Sequence, residues 1–344
     1  MPFFINIDAT IGSGGGGGSG FANPATADLE MGLFNVTFEG GNGTWTVFPL
    51  AGATGIQAAI NDAVLAGGGL IKLFAGTYAI DQTISNPAAS NITIEGAGPG
   101  LTILEVDTDT LTATRVFNLA STADSDILVN TVAGNTSIVT VPAVNASDYK
   151  AGDIIILAGT DVHAQVDHEF VIAAADGVGG TGVVALVAPV LRTMTTVTST
   201  FFNEGKNLQI KDLSVIKTAG SAAAILFDLA FTYRAVLSNV FCSDFTVTGS
   251  QGLIAPDSVE ATLENCRFLN FDSYAASLER TVGSDVNGSY FDKCALDGAS
   301  ASIYFAASAD GRANNNVILN SGDTGLWLLT ARRVVADRNF FSRS

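Results

Sequence analysis

A repeat in the C-terminal part of the chain constrains the fold more than any other feature. Between residues 207 and 341, six segments align so that Asn, Asp or Gly recurs every 22–27 residues. In all six segments an apolar or small residue lies two positions before it and another lies three positions after it. The recurring residues are Asp212, Asn239, Asn265, Gly288, Asn315 and Asp337. Self-similarity at this period predicts a solenoid, in which successive coils of strands stack on one another.

The two apolar columns show that each coil must bend. They lie five positions apart, whereas residues on one face of a straight strand are separated by even numbers. Asn, Asp and Gly accept the left-handed backbone angles that a tight bend needs. The sequence therefore predicts a corner at each recurring residue, and the stacked corner side chains are expected to form a structural ladder. The apolar columns are Ile210, Leu237, Leu263, Val286, Ala313 and Val335 before the corner, and Val215, Cys242, Phe268, Phe291, Ile318 and Phe340 after it.

The composition is typical of a β-rich chain and argues against several functions. Only 14% of the 344 residues are charged, while Thr, Val, Ile, Ala and Gly are abundant. The net charge of −17 disfavours binding to nucleic acids and to anionic membrane surfaces, because both are negatively charged. No apolar run is long enough for membrane insertion. Cys242, Cys266 and Cys294 lack metal-ligand spacing and are expected to be buried free thiols.

The N-terminal part divides into an arm and a helix with strands. Residues 1–50 contain the tract GSGGGGGSG and are expected to form a Gly-rich arm or anchor. We expect no signal peptide, because no basic stretch followed by a long apolar run begins the chain. Residues 51–129 are expected to hold a short capping helix and the first coils. Thr54 and Gln57 predict a capping box at the start of this helix, and Gly67 predicts its end.

Two stretches in the middle of the chain are typical of antiparallel hairpins. Residues 135–161 and 168–190 contain strand-like runs separated by Gly- and Asp-containing turns. We therefore predict a small antiparallel β subdomain inserted at 130–200, with the main coils following at 201–344.

The first coil resembles a known family. IQAAINDAVLAGGGLIKLFAGTYAI (56–80), followed by NITIEGAG (91–98), resembles the N-terminal cap and first coils of pectin-lyase-like right-handed parallel β-helices, especially those of bacteriophage tailspikes and related virion proteins. The middle hairpins also resemble a small subdomain that many such proteins carry, so the resemblance covers about 54–341. It implies an all-β fold: a right-handed parallel β-helix (solenoid) with a short N-terminal capping helix and an inserted small antiparallel subdomain. The resemblance constrains the function less than the fold, because proteins with this solenoid include lyases, hydrolases, adhesins and structural components.

Enzymes of the family that this chain resembles cleave polysaccharides with a carboxylate pair, or with calcium and a basic residue. The sequence lacks the Asn-Thr-Asp, paired-Asp and Gly-His-Gly motifs of polygalacturonase-type hydrolases and an acidic calcium cluster of the pectate-lyase type. The catalytic candidates are Glu279 and Asp285, which lie beside Arg280. The other acids that could meet across coils, and that are more simply interpreted as solvated outer-face carboxylates, are Asp244, Glu264, Asp272, Asp292 and Asp310.

Aromatic residues and histidines complete the set of candidates. Trp327, Tyr304 and Tyr274 are candidates for binding sugars if their rings are exposed. His163 and His168 lie among acidic residues, but their spacing of five does not place them on one helix face. We expect a polar loop there, no metal site and no cofactor.

The sequence supports two hypotheses for the function. The first is a non-enzymatic structural protein of a tailed virus particle, such as a spike, fibre-like or capsid-decorating protein, assembled in the host cytoplasm and exposed on the virion surface. The alternative is a polysaccharide-degrading tailspike, a hydrolase or lyase acting on host capsule or exopolysaccharide. The expected partners are other virion proteins, host-surface polysaccharide and further copies of the chain, with a trimer favoured. Self-association is expected because the last coil, VVADRNFF, has no cap after it and open strand edges attract partners.

Overall fold

The structure is a computed structural model that describes residues 36–38, 43–111, 114–161 and 166–343. Most of the predicted Gly-rich arm therefore lies outside the described residues. The N-terminal elements are β1 Val36–Phe38, β2 Thr44–Val47, α1 Gly52–Leu65, β3 Gly69–Leu73, β4 Gly76–Ile80, β5 Ile84–Ser85, β6 Ile92–Glu95, β7 Thr102–Asp107 and β8 Arg115–Asn118. The middle strands are β9 Asp124–Asn130, β10 Ser137–Val141, β11 Ile154–Thr160, β12 Val166–Ile172, β13 Val183–Ala185 and β14 Thr195–Phe202. The C-terminal strands are β15 Gln209–Ala219, β16 Ile225–Asp228, β17 Val236–Phe245, β18 Gln251–Ile254, β19 Thr262–Glu264, β20 Arg267–Phe271, β21 Ala276–Glu279, β22 Asp285–Asn287, β23 Tyr290–Asp292, β24 Ala301–Ala306, β25 Arg312–Asn314, β26 Val317–Leu319, β27 Thr324–Leu329, β28 Val335–Asp337 and β29 Phe340–Ser342.

Strands from successive coils pair in parallel and form three columns. The first column stacks β2, β3, β6, β15, β17, β19, β22, β25 and β28 in that order. The second stacks β4, β7, the later halves of β15 and β17, β20, β23, β26 and β29. The third stacks β5, β8, β16, β18, β21, β24 and β27. The predicted parallel solenoid is thus confirmed.

The core of the solenoid is built from stacked inward-facing side chains. Phe268 lies over Phe291 with ring centroids 5.6 Å apart and an interplanar angle of 8°. Phe117 and Phe227 stack in the same way at 5.6 Å. Alternation along each short strand places one set of residues inside, so the same column position is apolar in coil after coil. The three cysteines are buried and carry no disulfide.

Helix α1 packs its apolar face on the first coils. Ile56 and Ile60 are fully buried there. The helix begins at Gly52 with no side-chain cap, so the predicted capping box is wrong. Gln57 instead pairs with the backbone of Ser85, donating to its carbonyl at 2.9 Å and accepting from its N–H at 2.7 Å. These two bonds satisfy backbone groups of the first strand in the third column and so hold the helix against it.

Left-handed corners separate the first and second columns. Asp212, Asn239, Asn265 and Asn315 have φ between 51° and 58°, and Gly288 has φ 62°. Asn239 Nδ2 donates to Asp212 Oδ1 in the neighbouring coil at 2.6 Å. A Cβ at Gly288 would lie 2.6 Å from Asn265 Oδ1, so a larger residue there would displace the Asn265 side chain, and glycine adopts the positive φ without strain.

The sixth coil departs from the predicted alignment by one residue. Asp337 lies on β28 opposite Asn314, and the left-handed corner is Arg338, with φ 52°. The flanking positions are accordingly Ala336 and Phe341 instead of Val335 and Phe340. The prediction placed the corner at an Asp because that residue type favours left-handed angles, whereas in this coil strand pairing fixes the corner at an arginine. The corner ladder is therefore Asp212, Asn239, Asn265, Gly288, Asn315 and Arg338.

The middle strands form a separate antiparallel sheet, here called the insert (Asp124–Phe202). Its strand order is β12-β11-β14-β9-β10-β13, and it extends past the predicted limits of 130 and 200 at both ends. The coils on either side pair directly, with Phe117 opposite Phe227. The solenoid is therefore continuous across the insertion.

The insert docks on the solenoid through one face of its sheet. Ile154, Ile156 and Phe202 of the insert form a buried cluster with Val259 and Val282 of the coils. Arginine–aspartate pairs border this cluster: Arg192–Asp310, Arg333–Asp167 and Arg332–Asp161.

Candidate functional site

The predicted aromatic candidates form a stack on the outer face of the third column. The rings of Tyr274 and Tyr304 are 4.8 Å apart at 21°, and those of Tyr304 and Trp327 are 5.2 Å apart at 51°. Tyr304 is only 8% exposed, and burial raises the pKa of both tyrosines. Tyr304 therefore has a ring on either side and helps to hold three coils together, whereas Tyr274 and Trp327 at the ends of the row are half-buried.

The two predicted catalytic candidates lie in different columns of the solenoid. Glu279 ends β21 in the third column, and Asp285 begins β22 in the first column. The chain turns twice between them, at Arg280 with φ 51° and Gly283 with φ 71°. Arg280 forms a two-pronged ion pair with Asp257, at 2.6 and 2.7 Å.

Each of the two candidate carboxylates has a local environment of its own. Glu279 Oε1 accepts a hydrogen bond from Ser277 Oγ at 3.3 Å. Burial raises the pKa of Asp285, and the nearby Arg312 partly offsets the rise. The two carboxyl groups belong to different sheets of the solenoid.

Most of the other acids considered from the sequence have structural roles. Asp244 accepts from Asn270 at 2.8 Å, and Asp292 accepts from Asn320 at 2.9 Å. Asp272 accepts from a backbone N–H, and Asp310 pairs with two arginines. These bonds satisfy polar groups of corner residues or loops in neighbouring coils.

The histidine segment is part of a strand rather than the predicted polar loop. His168 lies on β12 opposite Ala158 and is 3% exposed. Burial lowers the pKa of His168, and Asp167 and Asp257 partly oppose this. Glu169 accepts two backbone N–H bonds, and burial raises its pKa. His163 lies outside the described residues.

Among the residues that the structure describes, no three His, Cys, Asp or Glu side chains are grouped so that they could hold a metal ion. Within the same ranges, no helix has the length and apolar character needed to cross a membrane.

The structure reveals a groove that the sequence did not indicate. It has a volume of about 280 Å³ and lies beside the corner ladder, on the outer face of the second column. Its lining residues are Pro99, Gly100, Ser214, Ile216, Asn239, Val240, Phe241, Asn265 and Arg267. Gly100 N–H donates to Ser214 Oγ at 2.9 Å, which fixes the loop that walls one end of the groove.

One arginine in the groove is held between two aromatic rings. Phe241, Arg267 and Tyr290 occupy the same outward position in three successive coils. The Arg267 Cζ atom lies 5.8 Å from the ring centroid of Phe241 and 5.3 Å from that of Tyr290. Both distances are within cation–π range. This arrangement is visible in the aligned sequence. The position just before the predicted core column is an aromatic residue, an arginine and an aromatic residue in three successive coils.

Comparisons with known proteins support the fold. Residues 200–343 match a family described as "Right handed beta helix region", so this part of the chain is a right-handed β-helix. No curated protein matches the sequence.

Solved structures with similar folds include phage and bacterial proteins. The tailspike gp61 of Pseudomonas phage phi297 is 15% identical, with a TM-score of 0.45 over 83% of this chain and 57% of that one. The Gp54 tailspike of Acinetobacter baumannii bacteriophage AP22, solved with capsular saccharide, is 11% identical, with a TM-score of 0.38 over 83% and 55%. The catalytic unit of a GH87 α-1,3-glucanase from Streptomyces thermodiastaticus is 14% identical, with a TM-score of 0.47 over 85% and 38%. The chain thus spans little more than half the length of either tailspike.

Proposed function

We propose that this protein is a structural component of a tailed virus particle that binds host-surface polysaccharide without cleaving it. The groove carries the binding part of this proposal. An aromatic face at Phe241, amides at Asn239 and Asn265 and a guanidinium at Arg267 converge on one pocket. Sugars are bound by this combination, because their C–H faces pack on aromatic rings and their hydroxyls pair with amides.

The absence of cleavage is supported by the positions of the carboxylates. Glu279 and Asp285 lie in different columns, and Arg280 between them is paired with Asp257. The groove itself is lined, among the described residues, by no aspartate or glutamate. A general acid and a partner carboxylate would both be needed beside a bound sugar for hydrolysis.

The virion part of the proposal rests on the sequence. The first coil, residues 56–98, resembles those of tailspikes and related virion proteins, and the net charge of −17 suits a surface exposed to saline surroundings. We further propose that the protein associates with other virion proteins and with copies of itself, with a trimer favoured.

Self-association is supported by an apolar patch on the insert. Val139 lies opposite Val183, and Val141 opposite Leu128, on one face of the sheet. Their exposed fractions are 37, 36, 42 and 41%. Neighbouring strands use the same face to dock on the solenoid, so the patch is a continuation of a face already suited to packing.

A polysaccharide panel tests the function. The protein is incubated with purified bacterial capsular polysaccharides and exopolysaccharides, and both bound polymer and new reducing ends or unsaturated uronate absorbance are measured. Binding without new ends is expected. Cleavage that is lost in Glu279→Gln or Asp285→Asn would establish the degrading tailspike instead. Labelled antibody on intact particles, together with the solution mass, checks the virion location and the trimer.

A further inference from the structure

Arg267 is the one charged side chain that lines the groove, and no anionic partner for it lies among the described residues. Among the residues that the structure describes, no carboxylate lies within 4.0 Å of its guanidinium and no hydrogen bond is made by it. Its contacts are the rings of Phe241 and Tyr290. The side chain is nevertheless exposed at the mouth of the groove.

Two arginines at corners of the solenoid, by contrast, are paired with acids. Arg234 pairs with Glu260 at 2.7 Å, and Arg280 pairs with Asp257 at 2.6 Å. The chain has 33 acidic against 16 basic residues, and seven of its ten arginines pair with an aspartate or glutamate. The groove combines a cation that has no ion pair among the described residues with a lining that holds no acid.

The two rings also restrict the guanidinium. Each ring belongs to a coil next to that of Arg267, so the guanidinium lies between them and within cation–π distance of both. The N–H groups at the edge of the plane stay free to bind a ligand. A guanidinium held in this way offers its forked donors without the entropy loss of ordering a long side chain.

A second donor lies next to Arg267. The side-chain amide of Asn265 is exposed, lines the same groove and makes no hydrogen bond to a described residue. The groove volume of about 280 Å³ is near the lower end of small-molecule pockets, and suits a single sugar unit.

We infer that the groove is a subsite for the carboxylate of an acidic sugar, with Arg267 binding the carboxylate through two parallel N–H···O bonds and Asn265 donating beside it. This inference rests on the proposed polysaccharide binding and specifies its ligand as a uronic-acid-type unit. Phe241 and Ile216 then pack against the apolar edge of the sugar ring. Planar, paired donors match a carboxylate, which explains why arginine rather than lysine is clamped there.

The test compares an acidic polysaccharide with the same polymer after chemical reduction of its carboxyl groups to alcohols. Wild-type protein is expected to bind the acidic form about tenfold more tightly, as the loss of a charge-assisted contact predicts. Arg267→Gln should lower affinity for the acidic form about tenfold and leave that for the reduced form unchanged. Arg267→Lys should bind the acidic form nearly as weakly as Arg267→Gln does, because lysine lacks the planar pair of donors. Arg338→Gln, which removes one exposed positive charge elsewhere, is the matched control and should change neither affinity.

Free glucuronate and inorganic phosphate separate the possible outcomes. Glucuronate binding that depends on Arg267 supports the subsite even if no polymer binds, and that result would overturn only the proposed polysaccharide function. Equal wild-type binding of the acidic and reduced polymers would overturn the subsite while leaving the function standing. Phosphate binding tighter than glucuronate, or no Arg267-dependent binding of glucuronate or acidic polymer, would also overturn the carboxylate assignment.

Discussion

At the scale of residues, the solenoid depends on side chains that tolerate a left-handed backbone. Asn, Asp and Gly fill most of the corner ladder, but other corners hold Arg234, Glu260 and Arg280 at φ 51–58°. These residues adopt an angle that disfavours any side chain with a Cβ by roughly 1–2 kcal/mol. Strand pairing above and below imposes the corner, and pairing across coils, such as Arg234 with Glu260, partly offsets that penalty.

Substitution of Asn315 tests the corner. Asn315 has φ 56°, and its Nδ2 donates to Asn287 Oδ1 at 3.0 Å. Asn315→Ala should lower the free energy of unfolding by about 1–2 kcal/mol, because it loses both the bond and the residue type that accepts this angle. Asn315→Gly keeps the angle and should lose less than half as much. Urea denaturation measures both values, and equal losses would contradict the backbone explanation.

The buried histidine predicts a pH dependence. The folded pKa of His168 is lowered by burial, whereas in the unfolded chain it is near ~6.5. The unfolded state therefore binds more protons, and the stabilisation present above that pH is lost as pH falls through it towards the folded pKa. Asp167, Asp257, Arg280 and Arg192 face the group.

We expect the stability of wild type, relative to His168→Gln, to fall between about pH 7 and 5. The comparison with the variant removes the contributions of Asp153 and Glu169, whose raised pKa values act in the opposite direction. Denaturant titrations at several pH values measure the difference. A difference that is independent of pH would show that His168 does not titrate in this way.

At the scale of elements, the sequence predicted the strand columns of the solenoid better than it predicted the sites on its surface. The repeat fixed the columns because inward positions must be apolar in every coil. The groove was missed because Pro99 and Gly100 reach it from a coil that precedes the insert. Gly100 bonds Ser214 across 114 residues of chain, and this adjacency is invisible to a short-range repeat. Glu279 and Asp285 are close in sequence, yet two corners separate them into different columns.

The insert is held to the coils by a closed ring of charges. Asp167 contacts Arg192 at 2.9 Å and Arg333 at 2.6 and 3.0 Å, and both arginines also contact Asp310. The Asp167 side chain is 7% exposed, so these arginines replace the water contacts that its carboxylate loses on burial.

Neutralising Asp167 should loosen the insert. Asp167→Asn is expected to destabilise the protein by about 2 kcal/mol, less than a fully buried pair would, because the arginines are partly exposed. Hydrogen exchange should accelerate in β11 and β12 and stay unchanged in β19 and β22. Asp337→Asn is the control, since its pair with Arg338 is exposed and should contribute less than ~0.5 kcal/mol. Uniform acceleration in all strands would contradict local undocking.

At the scale of the whole molecule, each coil is stabilised by its two neighbours. In such a stack, a defect weakens the adjoining coils more than distant ones. Inward side chains therefore hold the stack of coils together, whereas outward side chains form the groove and the surface on which the insert docks.

A core substitution tests this cooperativity. Phe291 is fully buried and stacks on Phe268. Phe291→Ala should cost about 3–5 kcal/mol through lost packing and the cavity left behind. Val317→Ala, at a half-buried outward position, should cost much less. Hydrogen exchange should show the largest loss of protection in β20, β23 and β26, and an equal loss in β3 and β6 would argue against nearest-neighbour stability.

The size of a polysaccharide after incubation with the protein tests the central claim most directly. An acidic capsular polymer is mixed with an equimolar amount of protein and separated by size-exclusion chromatography with light scattering. The proposal predicts that polymer and protein elute together and that the polymer keeps its original mass. A polymer of reduced mass would show cleavage and contradict binding by a non-enzymatic β-helix, and separate elution would contradict binding itself.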